Sequence, residues 1–417
     1  MPSYKVSKNC RLCLSKNIKI GLKLKKIPIG EKYFLSQKKA KTQKKIPLTI
    51  SWCPNCKNVQ INEVINLKDL WNNYTYLSSQ TKAIVDHFND VAKRILRRFN
   101  LNKNDLVFDI GSNDGTFLKC FKKEKLKVLG IDGAKNVAKI ANQSGIPTIS
   151  KFFDFNLSKK IKKKYGKAKI ITCFNSFAHT SNLNSIIKGI KNLLHKDGIF
   201  VFECQYLIDI YKNKVIGTFF HEHLYHHSLT SLNNLFNSFD LNFFHVEKVN
   251  IQKGSIIGYV SIKKLNKSKV FQNLIKNEKT KKYLSLKKLN SLKKYISTQK
   301  SKIERITKNT SSKHMGFYGS ARSAPVFIEN YGINNKVNYL FDDHELKIGK
   351  FSPLINQRVL PTKMIYSTNV KIIIILAYLH SKKIIRKNIK FIKKGGKFII
   401  VYPNVEQVDK LNYKKFL

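Results

Sequence analysis

Acidic residues are scarce in this 417-residue chain: 25 Asp and Glu stand against 79 Lys and Arg, a formal net charge of +54. Arginine is scarcer still, supplying eight of those basic residues while lysine supplies 71. Proteins that read phosphates and bases favour the bidentate guanidinium. The lysines are also spread along the whole chain, so the charge reads as a solvated surface and nucleic acid is not the expected partner. Long apolar runs are missing. The longest, Ile372-Ile-Ile-Ile-Leu-Ala-Tyr-Leu379, falls far short of the ~20 residues that cross a bilayer and reads as a buried strand of a parallel sheet. Residues 1–9 hold no apolar core of signal-peptide length. Cysteine is sparse too. Four of the seven fall in two CxxC pairs, which suits reduced thiols with a metal site and excludes a disulfide framework. The expectation is a soluble, cytoplasmic protein with no membrane partner.

What is present is globular: 42% of residues are apolar, and the length suits two to four domains. Residues 1–65 carry both CxxC pairs and form the expected metal module. Residues 66–100 look helical, with Ile84, Val85, Phe88, Val91, Ala92, Ile95 and Leu96 at helical spacing. Strand patterns then alternate with helical ones: Leu106-Val-Phe-Asp-Ile110, Lys127-Val-Leu-Gly-Ile131, Lys169-Ile-Ile-Thr-Cys-Phe174 and Gly198-Ile-Phe-Val-Phe-Glu203. That alternation predicts a doubly wound α/β domain over 66–262. A charged linking helix is expected over 263–313, with Leu289, Leu292, Ile296, Ile303 and Ile306 near one face. A second α/β domain follows over 314–417, with candidate strands at 337–341, 372–379 and 397–402.

Three constellations carry chemistry. Cys10-x-x-Cys13 and Cys53-x-x-Cys56 can complete a tetrahedral S4 shell, which leaves no open position and so implies a structural metal. Two unrelated thiol pairs are the plainer alternative. In Val107-Phe-Asp-Ile-Gly-Ser-Asn-Asp-Gly-Thr116, an acidic residue at a strand tip precedes a glycine turn and a helix start. The dinucleotide spacing G-x-G-x-x-G is absent there, which counts against NAD. Gly111 and Gly115 allow close backbone approach, Asp109 would face an ammonium group, and Asp132 at the next strand end can accept both hydroxyls of a ribose. Together with Asn113 in the turn they point to S-adenosylmethionine; an ordinary βα turn is the alternative. Third, Phe220-His-Glu-His-Leu-Tyr-His-His227 packs four histidines and a Glu into eight residues without the H-E-x-x-H zinc spacing. A general base beside a carboxylate is favoured there over a His223-x-x-His226 metal pair or a solvated loop. Asn175-Ser-Phe-Ala-His179 would emerge at the carboxyl edge of the sheet, where ligands bind, and places Asn175 at the cofactor. Tyr74-Thr-Tyr-Leu-Ser-Ser79 precedes the first long helix, which Ser78 or Ser79 could cap.

In this order, with a second α/β domain behind them, these motifs resemble the sugar C-methyltransferase family that acts on nucleotide-linked keto-deoxysugars. The resemblance covers nearly the whole chain. It implies a class I methyltransferase Rossmann-like domain between a small N-terminal zinc module and a C-terminal α/β domain that helps bind substrate. It implies His223 as the base that removes a proton next to a ketone, with Glu222 orienting base or substrate. Tyr76 and His179 would donate to the enolate oxygen, where such donors are worth ~3 kcal/mol each. Asp132 would hold the ribose and Gly111 would line the cofactor, with zinc remote from the chemistry. The chain departs from the family at Phe220, where Tyr is common. It also departs in Tyr318-Gly-Ser-Ala-Arg-Ser-Ala324, which lacks a Lys-Gly pair, and in Asp342-Asp-His-Glu-Leu-Lys-Ile-Gly349, which lacks an Asn-Pro. Competing expectations are an O- or N-methyltransferase on a related anionic acceptor, a zinc-containing RNA methyltransferase, and a keto-sugar binding protein without catalysis.

Overall fold

A computed structural model describes residues 4–71, 74–355 and 357–417. Residues 1–3 of the stretch read for targeting signals, and 72–73 of the expected helical segment, lie outside the described residues.

The N-terminal module contains β1 (Tyr4–Val6), β2 (Lys19–Ile27), β3 (Ile46–Trp52), β4 (Val59–Ile61) and β5 (Glu63–Ile65). β2, β3 and β4 form an antiparallel meander, and β1 pairs with β5. Ile46, Leu48 and Ile50 of β3 are buried at the period of two expected for a strand with one core face. The next sheet is built from β6 (Leu106–Ile110), β7 (Lys127–Ile131), β8 (Thr148–Ile149), β9 (Ala168–Phe174) and β10 (Leu194–Gln205), all parallel. β11 (Tyr225–His226) leaves this region and pairs with β4, adding a fourth strand to the N-terminal sheet. β12 (Asn242–Val249) and β13 (Ser255–Ser261) then close the central sheet antiparallel, in the order β8-β7-β6-β9-β10-β13-β12. Strand order reverses at β6 and β9, so a crevice opens at their carboxyl ends.

The expected helical stretch 66–100 is interrupted. A short helix at Leu67–Trp71 precedes the segment 74–79, and a long helix runs over Lys82–Phe99. The long helix buries Phe88, Val91, Ala92 and Ile95 and ends at Asn100 in the left-handed region. Its cap position is Thr81, not Ser78 or Ser79. The expected single linking helix is two. Lys269–Thr280 and Leu286–Thr307 are each started by a serine, Ser268 and Ser285, whose hydroxyl accepts a main-chain N–H three residues on. The first ends at Thr280, Lys282 turns the chain through positive φ, and Ser285 in extended conformation begins the second.

The C-terminal sheet holds β14 (Met315–Tyr318), β15 (Tyr339–Asp342), β16 (Val359–Pro361), β17 (Ile372–Ile375), β18 (Lys397–Ile400) and β19 (Glu406–Val408). Their order is β16-β15-β14-β17-β18-β19, parallel except for β19. Both α/β regions are therefore doubly wound about their first strand, a likeness the sequence pattern does not reveal. The apolar run 372–379 leaves the sheet after Ile375. The amides of Leu376 and Ala377 donate to the Tyr318 carbonyl and turn the chain across Gly319. A Cβ on Gly319, whose φ is +89°, would lie 2.5 Å from that of Ala377.

One apolar core joins all three regions. Leu22, Leu48 and Ile61 of the N-terminal sheet pack with Leu207, Tyr211 and Phe219 of the middle region, with Leu289 and Leu292 of the second linking helix, and with Phe317 and Phe327 beyond it. Among the described residues no helix is long and apolar enough to cross a membrane.

Candidate functional site

The four cysteines come together. Both CxxC turns use the same bonds: Leu14 N–H donates to Cys10 O and Lys57 N–H to Cys53 O, while Cys10 N–H and Cys53 N–H donate to Ser15 O and Asn58 O. Leu14 and Lys57 both adopt positive φ. The turns face each other with Cys10 and Cys56 sulfurs 3.5 Å apart and those of Cys13 and Cys53 3.6 Å apart, all four within 4.8 Å of one another. These spacings are far beyond an S–S bond. They match the ~3.8 Å edge of a tetrahedron with ~2.3 Å zinc–sulfur bonds. Among the described residues this is the one group of three or more ligand-type side chains placed to share an ion. His223 and His226 have no third ligand, so the metal-pair alternative finds no support.

A cavity of about 490 Å³ opens at the carboxyl ends of β6, β7 and β9, within the range of small-molecule sites. Asp109, Gly111, Asn113, Asp132, Asn175, Tyr76, His179 and His223 all line it. Gly111 (φ +74°) turns the chain at the end of β6, and a Cβ there would meet Ser176 Oγ at 2.4 Å. Both oxygens of Asp132 accept main-chain N–H groups, from Asn113 and Ala134 at 2.8 Å each. Asp109 accepts from Thr172 Oγ1 at 2.7 Å through Oδ1, while its Oδ2 has no partner among the described residues. Burial raises the Asp109 carboxyl to about 7. A buried acid with one unmet oxygen in a cavity wall fits a cationic ammonium, which would restore its ionised form. The donor set thus suits S-adenosylmethionine at this end. Phe152 and Lys151, after β8, also line the cavity.

Two expected site residues stand elsewhere. Gly115 starts the helix Thr116–Lys123 and packs against Ile146, 2.9 Å from where its Cβ would be, so it shapes the turn without lining the cavity. Glu222 is buried one step back and pairs with Arg322. The histidine-rich segment is no solvated loop, since His221, Glu222, His226 and His227 are all buried.

The far end of the cavity is defined by stacked rings. Trp71 lies 5.3 Å from His179, His179 5.1 Å from His223, and His223 4.1 Å from Phe220. The proton on His223 can be located. Thr218 Oγ1 donates to Gln205 Oε1, so it must accept from His223 Nδ1 at 3.0 Å, where Thr218 O also accepts. Nδ1 is the protonated nitrogen and Nε2 is bare, with no partner among the described residues. Burial, then Arg322, lowers His223 to about 4 although the Thr218 carbonyl opposes the shift. His179 lies well below its usual value through burial, His223 and Arg322.

Several functional side chains escape the sequence reading. Arg322 lines the cavity and donates through Nε to Glu31 at 2.9 Å and through Nη1 to Tyr74 at 3.1 Å and to Glu222. Lys347 reaches Glu31 at 3.1 Å. Burial opposes ionisation of Glu31, yet Arg322 and Lys347 hold it at about 2. Asn113 Oδ1 accepts Ser78 N–H at 2.9 Å and Asp114 Oδ2 accepts Ser79 N–H at 3.1 Å, tying the segment 74–79 down over the cofactor end. Glu203 bridges His87 at 2.5 Å and Asn175 at 2.9 Å. One signal was available for Arg322: it is one of eight arginines in a chain that otherwise uses lysine.

Comparison with known proteins agrees with this arrangement. Three family profiles match in sequence: a zinc binding domain over residues 10–71, a methyltransferase domain over 85–246, and a C-methyltransferase C-terminal domain over 250–403. The C-methyltransferase NovU of Streptomyces niveus is 27% identical over 362 residues, 86% of each chain. Among solved structures, an S-adenosylmethionine-dependent methyltransferase from Clostridium acetobutylicum is 14% identical, with TM-score 0.34, covering 43% of this chain and 92% of that one. Magnesium protoporphyrin IX methyltransferase from Synechocystis, solved with bound S-adenosylhomocysteine, is 14% identical, with TM-score 0.34, covering 46% and 90%. With a four-cysteine zinc module, a doubly wound cofactor domain and a C-methyltransferase C-terminal domain in succession, the chain is built as an S-adenosylmethionine-dependent C-methyltransferase.

Proposed function

We propose that the acceptor is a nucleotide-linked keto-sugar, methylated on the carbon next to its ketone, with His223 as general base. The observation that carries this reading is the bare Nε2 of His223, fixed by the Thr218 bonds to Nδ1 and facing a cavity whose other end suits the cofactor. In the proposed sequence Nε2 takes the proton, the C–H electrons pass into an enolate, and the carbon of that enolate forms the new C–C bond. When bound, S-adenosylmethionine would supply the methyl group from its sulfonium, the S–CH3 bond breaking as the C–C bond forms and its electrons staying on the sulfur of the departing S-adenosylhomocysteine. Tyr76 and His179, both on the cavity wall, would donate to the enolate oxygen. Glu222 acts through Arg322, so its part is to position that cation. Gly111, Asn113, Asp132 and Asn175 hold the cofactor, and Asp109 takes its ammonium.

The cavity also supports the nucleotide portion. It runs on to Ala321, Arg322, Ser323, Tyr378 and Leu379, at the carboxyl ends of β14 and β17, where the second sheet has its own order reversal. An anionic acceptor there would offset the pull of Arg322 on His223 and raise its basicity toward the range useful for proton transfer.

Incubation of the enzyme in D2O with S-adenosylhomocysteine and uridine-, thymidine- or guanosine-diphosphate keto-deoxysugars tests the reading. Deuterium should enter the carbon beside the ketone, and His223→Ala should slow this by about 10²–10⁴-fold with S-adenosylhomocysteine affinity retained. A methylated product formed on oxygen or nitrogen without such exchange would favour the O- or N-methyltransferase instead.

A further inference from the structure

We infer that Arg11, set between the first two zinc ligands, is a positioning residue for the acceptor end of the cavity. The zinc module thereby fixes the relative placement of His223 and His179. The turnover part of this inference rests on the proposed role of His223; the hold on the main chain does not.

The link is a short chain of hydrogen bonds. Arg11 Nη2 donates to the carbonyl of Leu224, the residue after His223, at 2.7 Å. The same carbonyl accepts Ile61 N–H from the end of β4 at 3.1 Å, so both its lone pairs are used by the zinc module. Leu224 N–H in turn donates to the carbonyl of Ala178 at 2.9 Å, next to His179. One residue, Leu224, thus sits between the two stacked imidazoles and the cysteine turn. Arg11 is itself anchored, since its main-chain N–H donates to Gln60 Oε1 at 2.9 Å and its guanidinium lies 5.0 Å over the Tyr225 ring.

Charge explains why arginine stands there. Nε and Nη1 of Arg11 are buried without a hydrogen-bond partner, a costly arrangement for a cation unless a negative group compensates. Four thiolates on a divalent ion retain net negative charge, and Arg11 lies within the turn that presents two of them. The planar guanidinium can stack on Tyr225 and donate sideways to Leu224 at once, which a lysine ammonium cannot. Neighbouring contacts hold the rest of the segment: Tyr225 and His226 pair with Gln60 and Val59, and His221 Nε2 bonds Pro47 O at 2.8 Å. These survive loss of the Arg11 side chain, so its own contribution can be isolated.

The test uses the full-length, zinc-loaded protein with Arg11→Ala, Arg11→Lys and Arg11→Gln. Hydrogen exchange of the peptide 221–227 should quicken at least tenfold in Arg11→Ala, while zinc content and S-adenosylhomocysteine affinity stay within twofold of the parent. With a nucleotide-linked keto-sugar, kcat should fall ten- to a hundredfold with KM little changed, and Arg11→Lys should recover only part. Unchanged exchange over 221–227 would overturn the inference. Loss of zinc from Arg11→Gln, which keeps a donor at that place, would overturn it in favour of metal retention. Faster exchange with kcat intact would leave the hold on the main chain standing and overturn the positioning role given to Arg11.

Discussion

His223 shows how far a single side chain is set by its surroundings. From its residue type alone a neutral imidazole titrates near 6.5; in the folded chain burial and Arg322 bring it to about 4. The acid limb of kcat/KM, which reports the free enzyme, is therefore expected near pH 4 and not near 6.5, as a pH–rate profile would show. The same shift acts on stability. His227 is lowered to about 3, and His179, His221 and His226 are lowered too, each chiefly by burial. At these five histidines the unfolded chain binds more protons than the folded one between roughly pH 6.5 and 3, whereas Asp109, raised to about 7 by burial, keeps its proton in the folded chain and opposes them. The stability these neutral histidines contribute is present above pH 6.5 and is lost as pH falls through that window, with His223 alone accounting for about 3 kcal/mol. Histidine ring resonances followed by NMR through this pH range should place the His223 midpoint near 4; a midpoint near 6.5 would contradict the burial of this cluster.

At the level of elements, the segment 74–79 behaves as a cover rather than a helix start. Ser78 and Ser79 look like helix caps in sequence because that residue type at that place usually is one. In the fold their amides are claimed by Asn113 and Asp114, and Asn136 Nδ2 reaches Tyr74 O at 2.7 Å. The turn that is proposed to hold the cofactor thus also holds the strap above it. Asp114→Ala releases the exposed Ser79 N–H and strands the buried N–H and hydroxyl of Thr116 at about 1–3 kcal/mol for an unmet buried group. S-adenosylhomocysteine affinity is expected to drop about tenfold by calorimetry, with zinc content unchanged. The strand patterns at β6, β7, β9 and β10 were readable because period and turn chemistry are local. The departure at Leu376 was not, because it answers the Tyr318 carbonyl, distant in sequence.

Across the whole molecule, Arg322 ties three regions at one point: Glu31 from the N-terminal module, Tyr74 and Glu222 from the middle region, and its own C-terminal domain. Arg322→Ala leaves the buried Glu222 without its cation and Glu31 with Lys347 alone, and removing one partner of a buried pair typically costs 3–5 kcal/mol. Thermal unfolding should come earlier, and acceptor binding should weaken more than S-adenosylhomocysteine binding. If the variant melts with the parent protein, the cluster is not the tie described. Stripping zinc with a chelator should likewise raise hydrogen exchange over β11 as well as over the cysteine turns, because β11 is a strand of the module's own sheet.

By itself the sequence determined the class of each region, the cysteine ligand set, the cofactor turn and the histidine segment, since spacing and residue type act over a few neighbours. Eight of the ten non-metal site residues it marked line one cavity; Gly115 and Glu222 do not, because distance from a ligand is a tertiary property. Only the tertiary structure brought Arg322, Glu31 and Arg11 into place, Arg322 and Glu31 meeting from positions 291 residues apart. It also decided the tautomer of His223, through Thr218 and Gln205. Buried charge and fixed protons depend on which groups exclude water together, and that is settled when the three regions close on one core.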